Sequence, residues 1–186
     1  MSKYGRLRDG QDGHSQFFLK ATLTAHDESM EHPLVHAIVD KRVTDAAHGH
    51  YLHGLHRTFR ALEARPEKLP TADARLNRTG AIEKDLHALG AAGSPPRSDA
   101  TDAYLACLAS AQDWKDVLCH HFLQYNALLS GGAFLGGCLK AQGKPRAAYA
   151  FELGIESQYV RRYMEALDAI ELSEADRRPA RGWRKS

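Results

Sequence analysis

The stretch LLSGGAFLGG, Leu128 to Gly137, places four glycines within seven positions of a segment that otherwise has the composition of a helix. Each glycine in a helix interior costs about 0.5–1 kcal/mol relative to alanine. Four of them give up about 2–4 kcal/mol, a large share of the ~5–15 kcal/mol by which a domain is stable. A neighbouring group must therefore approach this helix too closely for larger side chains to fit at the glycine positions.

Three common glycine motifs do not fit this segment. A phosphate-binding loop would need a preceding strand and then Gly-Lys-Ser/Thr, whereas Cys138, Leu139 and Lys140 follow here. A dinucleotide-binding turn needs a βαβ context, and a membrane dimerisation face needs a longer apolar span. Two explanations remain open: close packing between helices, or a bent helix whose backbone lies against a flat, rigid ligand. In the second case, another residue must hold the opposite face of that ligand.

Hydrophobic residues recur at three- and four-residue steps through most of the chain, and no segment alternates with period two. The pattern predicts an all-α, single-domain protein of about seven helices. The first helix is expected from Ser15 until Pro33 interrupts it. The longest is expected over 113–140, around the glycines, and the last over 147–172. Thr44 is the expected N-cap of the helix that follows it, and Ser98 or Asp99 caps a later one.

The two ends of the chain differ in composition from its middle. Residues 1–15 are polar and punctuated by glycine and are expected to form a flexible arm, and residues 173–186 a basic tail. Residues 16–172 then form the helical domain. No apolar run reaches the ~18–20 residues that span a bilayer, and the N-terminus lacks the apolar core of a signal peptide. We expect a cytoplasmic protein that does not associate with a membrane.

Composition narrows the class of protein further. A net charge of +2 gives no case for nucleic-acid binding. The three cysteines fit no zinc spacing and are expected to be reduced thiols. Eleven histidines among 186 residues is a high number, which directs attention to metal or cofactor ligation. Four of them fall in one predicted helix and are interpreted as a surface stripe: His48, His50, His53 and His56.

His26 is the best candidate for the residue that holds the opposite face of a flat ligand. It lies on the first predicted helix, on the same face as Leu19, Thr22, Ser29 and Met30. An imidazole on an apolar helix face can offer a neutral nitrogen to a metal. A lone histidine on a helix is more often a surface or core residue, so this position does not decide the matter alone.

Two segments together resemble heme oxygenases. The stretch LKATLTAHDESMEHPLVHAIV, with Ala21-Thr22-x-x-x-His26, resembles the proximal helix of that family, and CHHFLQYNALLSGGAFLGG, from Cys119, resembles its distal helix. The order of the two segments, the roughly ninety residues between them and the all-α pattern also agree with the family. The resemblance extends from residue 15 to about residue 172.

The resemblance implies that His26 is the proximal ligand of the heme iron. It also implies that Ala127, Leu128, Gly131 and Gly132 line the distal face of the heme. Heme b is then both substrate and cofactor: with O2 and electrons from a ferredoxin or a flavoprotein reductase, it is converted to biliverdin, CO and Fe(II). The protein would orient the heme, support a distal water network and exclude side reactions. A monomer is the default oligomeric state.

Heme propionates need cationic partners, and the family takes some of these from its first and last helices. Arg161 matches a propionate-contacting arginine of the family, and Arg162 is its neighbour. Leu19 occupies the position of the family's first-helix lysine, and Lys20, one residue on, is the candidate substitute. The aromatic residue that hydrogen-bonds a propionate in animal members falls at Phe122, which has no hydroxyl group.

Leu128 is the main departure from the family. Animal-type members carry Gly-Asp-Leu-Ser-Gly-Gly where residues 127–132 read ALLSGG here, and their Asp anchors the waters that deliver a proton during oxygen activation. Plant members have Ala-His and some bacterial members Gly-Ser at this place, so the carboxylate is not universal. Ser130 and Gln124 are the polar candidates to support a water network, together with backbone carbonyl groups exposed at the glycines.

Two other classes of function remain open. A non-catalytic heme carrier or sensor would explain both Leu128 and the missing first-helix lysine. A non-heme di-metal oxidase would need carboxylates and histidines that converge from several helices. Asp116 with His120 and Glu83 with His87 have the required i, i+4 spacing, although His120 is more readily interpreted as a core histidine.

Overall fold

The computed structural model describes residues 13–65, 69–151 and 156–173. Within these ranges the chain forms seven α-helices, two short 3-10 turns and no strand, which confirms the predicted all-α fold. The helices are α1 (His14–Met30), α2 (Pro33–Val39), α3 (Asp45–Glu63), α4 (Thr79–Ala88), α5 (Asp99–Ala109), α6 (Trp114–Lys140) and α7 (Glu156–Asp168). Most of the predicted arm and nearly all of the predicted basic tail lie outside the described residues.

Local capping chemistry sets the starts of several helices. The Thr44 hydroxyl accepts a hydrogen bond from the backbone N–H of Ala47 at 3.1 Å, and the Ser98 hydroxyl accepts one from Thr101 at 3.2 Å. Both residues are therefore N-caps, as predicted. α2 begins at Pro33, where the missing N–H would have had no partner in the helix.

The prediction of one helix over 147–172 is wrong. The structure has a 3-10 turn at Ala147–Tyr149, and α7 begins only at residue 156. The buried Asp85 carboxylate of α4 accepts hydrogen bonds from the first two backbone N–H groups of this turn, both at 2.8 Å. Arg78 Nη1 donates to the carbonyl oxygen of Ala150 at 2.8 Å. Asp85 thus caps the start of the turn, where the first N–H groups have no partner within a helix. Arg78 takes the Ala150 carbonyl group, which a continuous helix would have paired with the N–H four residues later.

The first two helices contact α6 at two separate points. Near the start of each helix, Phe18 of α1 packs against Phe122 of α6 with ring centroids 5.1 Å apart. α2 then leads the chain to the far end of α6, where Gln142 Nε2 donates to the carbonyl oxygen of Ile38 at 3.1 Å. α1 and α2 thus contact α6 near its start and just beyond its end, respectively.

Candidate functional site

The glycine cluster divides between two sides of α6. Gly132 and Gly136 face the 3-10 turn: an added Cβ on Gly136 would lie 3.2 Å from Tyr149 Cβ, and one on Gly132 would lie 3.4 Å from the Tyr149 carbonyl oxygen. An added Cβ on Gly131 or Gly137 would meet no atom within 4 Å outside its own stretch of helix. Two glycines thus allow close packing in the core, and two leave the backbone of α6 open on other sides.

An open face of α6 carries small and apolar residues around Gly131. Ala127 and Ser130 are exposed, and the Phe134 side chain is 57% exposed. At 100° per residue these positions share one broad face of the helix. Ser130 Oγ donates to Asn126 Oδ1 of the same helix at 3.2 Å. A ligand placed against this face would meet the backbone at Gly131 with no side chain in between.

Leu128 and Gly132, which the resemblance assigns to the distal wall, lie on the buried side of α6. Leu128 is only 8% exposed. Its side chain contacts the position that a Cβ on Gly132 would take, at 3.8 Å. Of the four residues assigned to the wall, Ala127 and Gly131 therefore lie on the accessible side of α6, and Leu128 and Gly132 lie behind them in the core.

α1 presents His26 on an accessible surface. The His26 side chain is 51% exposed, and its Nδ1 lies 3.3 Å from Asp27 Oδ1. No group of the described residues hydrogen-bonds its Nε2. Leu23 and Met30, three residues before and four after His26, are 50% and 37% exposed. With Phe134 of α6, they are the exposed large hydrophobic residues in the described part of the chain.

These features fit a heme. The iron needs an accessible imidazole nitrogen, which His26 Nε2 supplies. The macrocycle needs apolar contacts, and the exposed Leu23, Met30 and Phe134 would each gain about 25 cal/mol per Å² of apolar surface that it covers. A flat ring also needs close approach to one wall, which the open backbone at Gly131 allows.

The three cationic candidates for the propionates are exposed. Lys20 lies on α1, and Arg161 and Arg162 lie on α7. Arg161 Nε is 3.7 Å from Glu165 Oε1, one turn along the same helix, and both side chains are more than half exposed. Because such surface pairs are worth little, Arg161 can exchange this partner for another anion. Among the described residues, no hydrogen bond or ion pair joins Arg161 to α1 or α6.

The two polar candidates for a distal water network are not joined to each other. Gln124 is half-buried and forms a hydrogen bond with the Tyr104 hydroxyl of α5. Burial raises the pKa of Tyr104 to about 12, although this hydrogen bond lowers it. His120 Nδ1 also lies 3.2 Å from this hydroxyl, and the ring is buried. The interpretation of His120 as a core histidine is therefore confirmed. Ser130 bonds only within α6, on its exposed face.

His48 is not on the surface, so the surface-stripe interpretation is wrong for it. The ring is 0% exposed, and neither nitrogen has a hydrogen-bond partner among the described residues. A buried polar atom without a partner costs about 1–3 kcal/mol. The helical period would have found this residue, because His48 precedes Leu52, Leu55, Phe59 and Leu62 on the apolar stripe of α3.

In the described part of the chain, the remaining histidines are not grouped with other side chains into a metal centre. His56 Nε2 lies 2.9 Å from Glu83 Oε1 at a cavity of about 360 Å³ between α3, α4 and the 92–95 segment, which no residue of α1 or α6 lines. Asp116 accepts a hydrogen bond from the backbone N–H of Gln112 at 3.0 Å. Over residues 13–65, 69–151 and 156–173, no three His, Cys, Asp or Glu side chains are placed to share a metal ion. The di-metal alternative therefore has no site in these ranges.

Two further observations concern the cysteines and the length of the described helices. Cys107, Cys119 and Cys138 are free and half-buried, as the reduced-thiol prediction requires. None of the described helices combines the length and the apolar character needed to cross a membrane.

The fold is that of known heme oxygenases. The heme oxygenase from Leptospira interrogans superposes with a TM-score of 0.79 at 17% sequence identity, over 89% of this chain and 90% of that one. Heme oxygenase-1 from Synechocystis sp. PCC 6803, in complex with heme, gives a TM-score of 0.78 at 17% identity, over 89% of this chain and 83% of that one. Heme oxygenase-2 from the same organism, in complex with heme and NO, gives 0.78 at 20% identity, over 89% and 77%.

No curated protein sequence matches this chain. The model of the heme oxygenase family matches residues 15–181, which is most of the chain. The protein belongs to the heme oxygenase family.

Proposed function

We propose that the protein binds heme b between α1 and α6 and degrades it to biliverdin, CO and Fe(II), with O2 and electrons from a ferredoxin or a flavoprotein reductase. The observations that carry the proposal are the accessible imidazole of His26 on α1 and the open backbone of α6 at Gly131, in a chain of the heme oxygenase family. Heme supplies the redox-active iron and is itself the molecule that is oxidised.

The residues of the two helices would take complementary roles. His26 would ligate the iron through Nε2, and Leu23 and Met30 would cover the macrocycle beside it. Ala127 and Gly131 would form the opposite wall, and the buried Leu128 and Gly132 would set how closely that wall approaches. Because the α6 side chains at this wall are short, bulk water would be excluded from the site only when the heme ring occupies it.

The propionates would be held at the α7 side of the site. Arg161, with Arg162 beside it, offers a guanidinium group for a carboxylate, and Lys20 offers an ammonium group from α1. All three are exposed, so they would also present a positive surface to an acidic redox partner. We propose a monomer in a reducing compartment such as the cytoplasm, which the three free cysteines support.

A non-catalytic heme carrier or sensor is the second candidate. The observation that favours it is Leu128, a buried apolar residue where animal-type members have an aspartate. Leucine cannot anchor water or pass a proton, so the heme would be bound and not degraded.

Hemin added to the purified protein separates these functions. A Soret band that decays in air on addition of a reductant, with biliverdin absorption and ferrozine-detectable iron, supports the oxygenase. A Soret band that persists with a competent ferredoxin and reductase supports the carrier or sensor. Absence of a Soret band contradicts both.

A further inference from the structure

The cavity of about 360 Å³ between α3, α4 and the segment 92–95 is lined to one half by basic residues. Four lining residues are spaced at i, i+3, i+4 and i+7 on α3, so they share one face of that helix. These four are His53, His56, Arg57 and Arg60. The lining residues of α4 are spaced at i, i+3 and i+4 and also share one face. They are Glu83, Leu86 and His87.

The third wall follows α4 directly, and the end of that helix fixes its position. The backbone N–H of Gly90 donates to the His87 carbonyl oxygen at 3.0 Å, and that of Ala91 donates to the Leu86 carbonyl oxygen at 2.8 Å. With φ of +66° at Gly90, these bonds form a Schellman motif. An added Cβ on Gly49 of α3 would lie 3.2 Å from Ala91 Cβ, so the segment begins in contact with α3. The residues that complete the cavity are Ala92, Gly93 and Pro95.

Three of the basic side chains are not used by the protein. Over the described parts of the chain, no hydrogen bond or ion pair occupies the side chains of His53, Arg60 and His87. A guanidinium group has five N–H donors and no acceptor, and an imidazole has at least one donor. His53 is half-buried, and Arg60 and His87 are exposed. Their donors are therefore available to a ligand in the cavity.

The two other basic side chains are held in place by carboxylates. His56 Nε2 lies 2.9 Å from Glu83 Oε1, and Arg57 Nη2 donates to Asp102 Oδ1 at 2.5 Å. The side chains of His56 and Arg57 are 16% and 28% exposed. Asp102 is not among the lining residues, so two guanidinium groups and one carboxylate line the cavity. The cavity thus has many more N–H donors than acceptors.

An excess of N–H donors favours an anion as the ligand. Guanidinium groups bind carboxylate and phosphate with two parallel hydrogen bonds. A phosphate monoester offers three strong acceptor oxygens, whereas a carboxylate offers two, so phosphate makes fuller use of five basic side chains. The volume lies at the lower end of the ~300–1,000 Å³ typical of small-molecule pockets. Leu86, Ala92 and Pro95 provide apolar contacts for the organic part of such a ligand.

We propose that this cavity binds a small organic phosphate. Arg57 and Arg60 of α3 hold the phosphate group, and His53 and His87 donate to it from the two facing helices. No residue of α1 or α6 lines the cavity, so this site is separate from the proposed heme site. The inference therefore does not depend on the proposed function, and it gives two of the four histidines of α3, His53 and His56, a place in a binding site.

Isothermal titration calorimetry of the protein without heme tests the site, with phenyl phosphate as the probe. Phenol, inorganic phosphate and benzoate each lack one feature of this probe: the anion, the apolar ring or the third acceptor oxygen. We expect phenyl phosphate to bind, inorganic phosphate and benzoate to bind more weakly, and phenol not to bind. Phenol that binds as tightly as phenyl phosphate overturns the anion site. Benzoate or inorganic phosphate that binds as tightly as phenyl phosphate overturns the assignment to an organic phosphate.

Arg60→Gln and His87→Ala test the two sides of the cavity. Arg60→Gln should weaken phenyl phosphate binding at least about tenfold, as loss of a charge-assisted hydrogen bond does. His87→Ala should weaken it about threefold or more, because a single hydrogen bond from α4 is lost. Both side chains are exposed and unpaired in the described structure, so the melting temperature without ligand should equal that of wild type.

Matched variants outside the cavity provide the controls. Arg42→Gln removes the same charge at an exposed position after α2, and His50→Ala removes an exposed imidazole of α3. Each should keep the dissociation constant within about twofold of wild type, because exposed charges at a distance are screened. Equal weakening by Arg42→Gln and Arg60→Gln would show a general effect of charge and overturn the site. Absence of phenyl phosphate binding to folded wild-type protein overturns the inference and leaves the heme oxygenase proposal unaffected.

Discussion

Ser15 and Asp168, 153 positions apart in the sequence, join the start of α1 to the end of α7. The backbone N–H of Ser15 donates to Asp168 Oδ1 at 2.7 Å, and the Ser15 hydroxyl donates to Oδ2 at 2.9 Å. The N-cap residue of α1, Gly13, has no side chain to do this. Asp168 therefore caps, from another helix, the helix that carries His26.

Asp168→Ala should lower the free energy of unfolding by about 1–2 kcal/mol, as loss of a helix cap does. It should also weaken hemin binding, because α1 and the arginines of α7 would no longer share a fixed geometry. Urea unfolding and hemin titration measure the two effects. Glu171→Ala removes an exposed carboxylate three positions away and serves as the control. Equal stability of the two variants would contradict the capping role.

His26→Ala should abolish the spectrum of histidine-ligated heme and leave the far-UV circular dichroism of the helices unchanged. The side chain is half exposed and its only described side-chain contact of note is with Asp27, so little folding energy is lost. His36→Ala is the matched control, because His36 is exposed on α2. An unaltered Soret band in His26→Ala would refute the assignment of the iron ligand.

Gly131→Leu and Gly132→Leu should have different effects, the first on hemin binding and the second on stability. At Gly131 the added side chain meets no atom within 4 Å outside its own stretch of helix, so the protein should fold and lose hemin binding. At Gly132 it meets Tyr149 and Leu128, so the melting temperature should fall, as overpacking costs about 1–3 kcal/mol. Melting curves and hemin titrations of both variants check this. Undiminished hemin affinity in a folded Gly131→Leu variant would remove α6 from the heme site.

Leu128→Asp should raise the yield of biliverdin per heme, because it restores a carboxylate that can anchor water. It should also reduce stability, because Leu128 is 8% exposed and large-to-polar changes in a core cost about 2–5 kcal/mol. Biliverdin yield from single turnover, compared with Leu128→Asn, measures the benefit of the charge. No gain in a variant that stays folded would indicate that protons arrive by another route.

Helix type and helix ends were predictable because their causes are local. The 3.6-residue period and the hydroxyl groups of Thr44 and Ser98 act within a few residues of where they stand in the chain. The break at 147–151 was not predictable, because Asp85 and Arg78 capture this backbone from 62 and 72 positions away. Sequence periodicity cannot show which distant side chain will reach a backbone group.

The candidate site was predictable in part for the same reason. A motif makes His26 and the glycine segment candidates for the site, yet it cannot assign each glycine to a side of α6. That assignment depends on where Tyr149 packs, since it touches Gly132 and Gly136 and leaves Gly131 open. The interpretation of His48 as a surface residue rested on its polar side chain, although its position on the apolar stripe of α3 indicates burial.

Stability should fall as the pH is lowered from 7 to 5, mainly because of His121. This ring packs against Tyr163, with Nδ1 2.8 Å from the hydroxyl, and burial lowers its pKa to about 4 from 6.5. Between these values the unfolded chain binds a proton that the folded protein does not. Above pH 6.5 the neutral His121 therefore does not reduce the free energy of unfolding. As the pH falls from 6.5 towards 4, the free energy of unfolding decreases because the unfolded chain binds this proton.

A loss of about 2 kcal/mol between pH 7 and pH 5 is expected for this residue, since one pKa unit corresponds to 1.36 kcal/mol. Burial lowers the pKa values of His48 and His120 as well. These two residues therefore add to the decrease in the free energy of unfolding as the pH is lowered. Urea unfolding at the two pH values should therefore show a smaller difference in His121→Gln than in wild type. His50→Gln, at an exposed position, should keep the wild-type difference. The same slope in all three proteins would mean that His121 is not held neutral by burial.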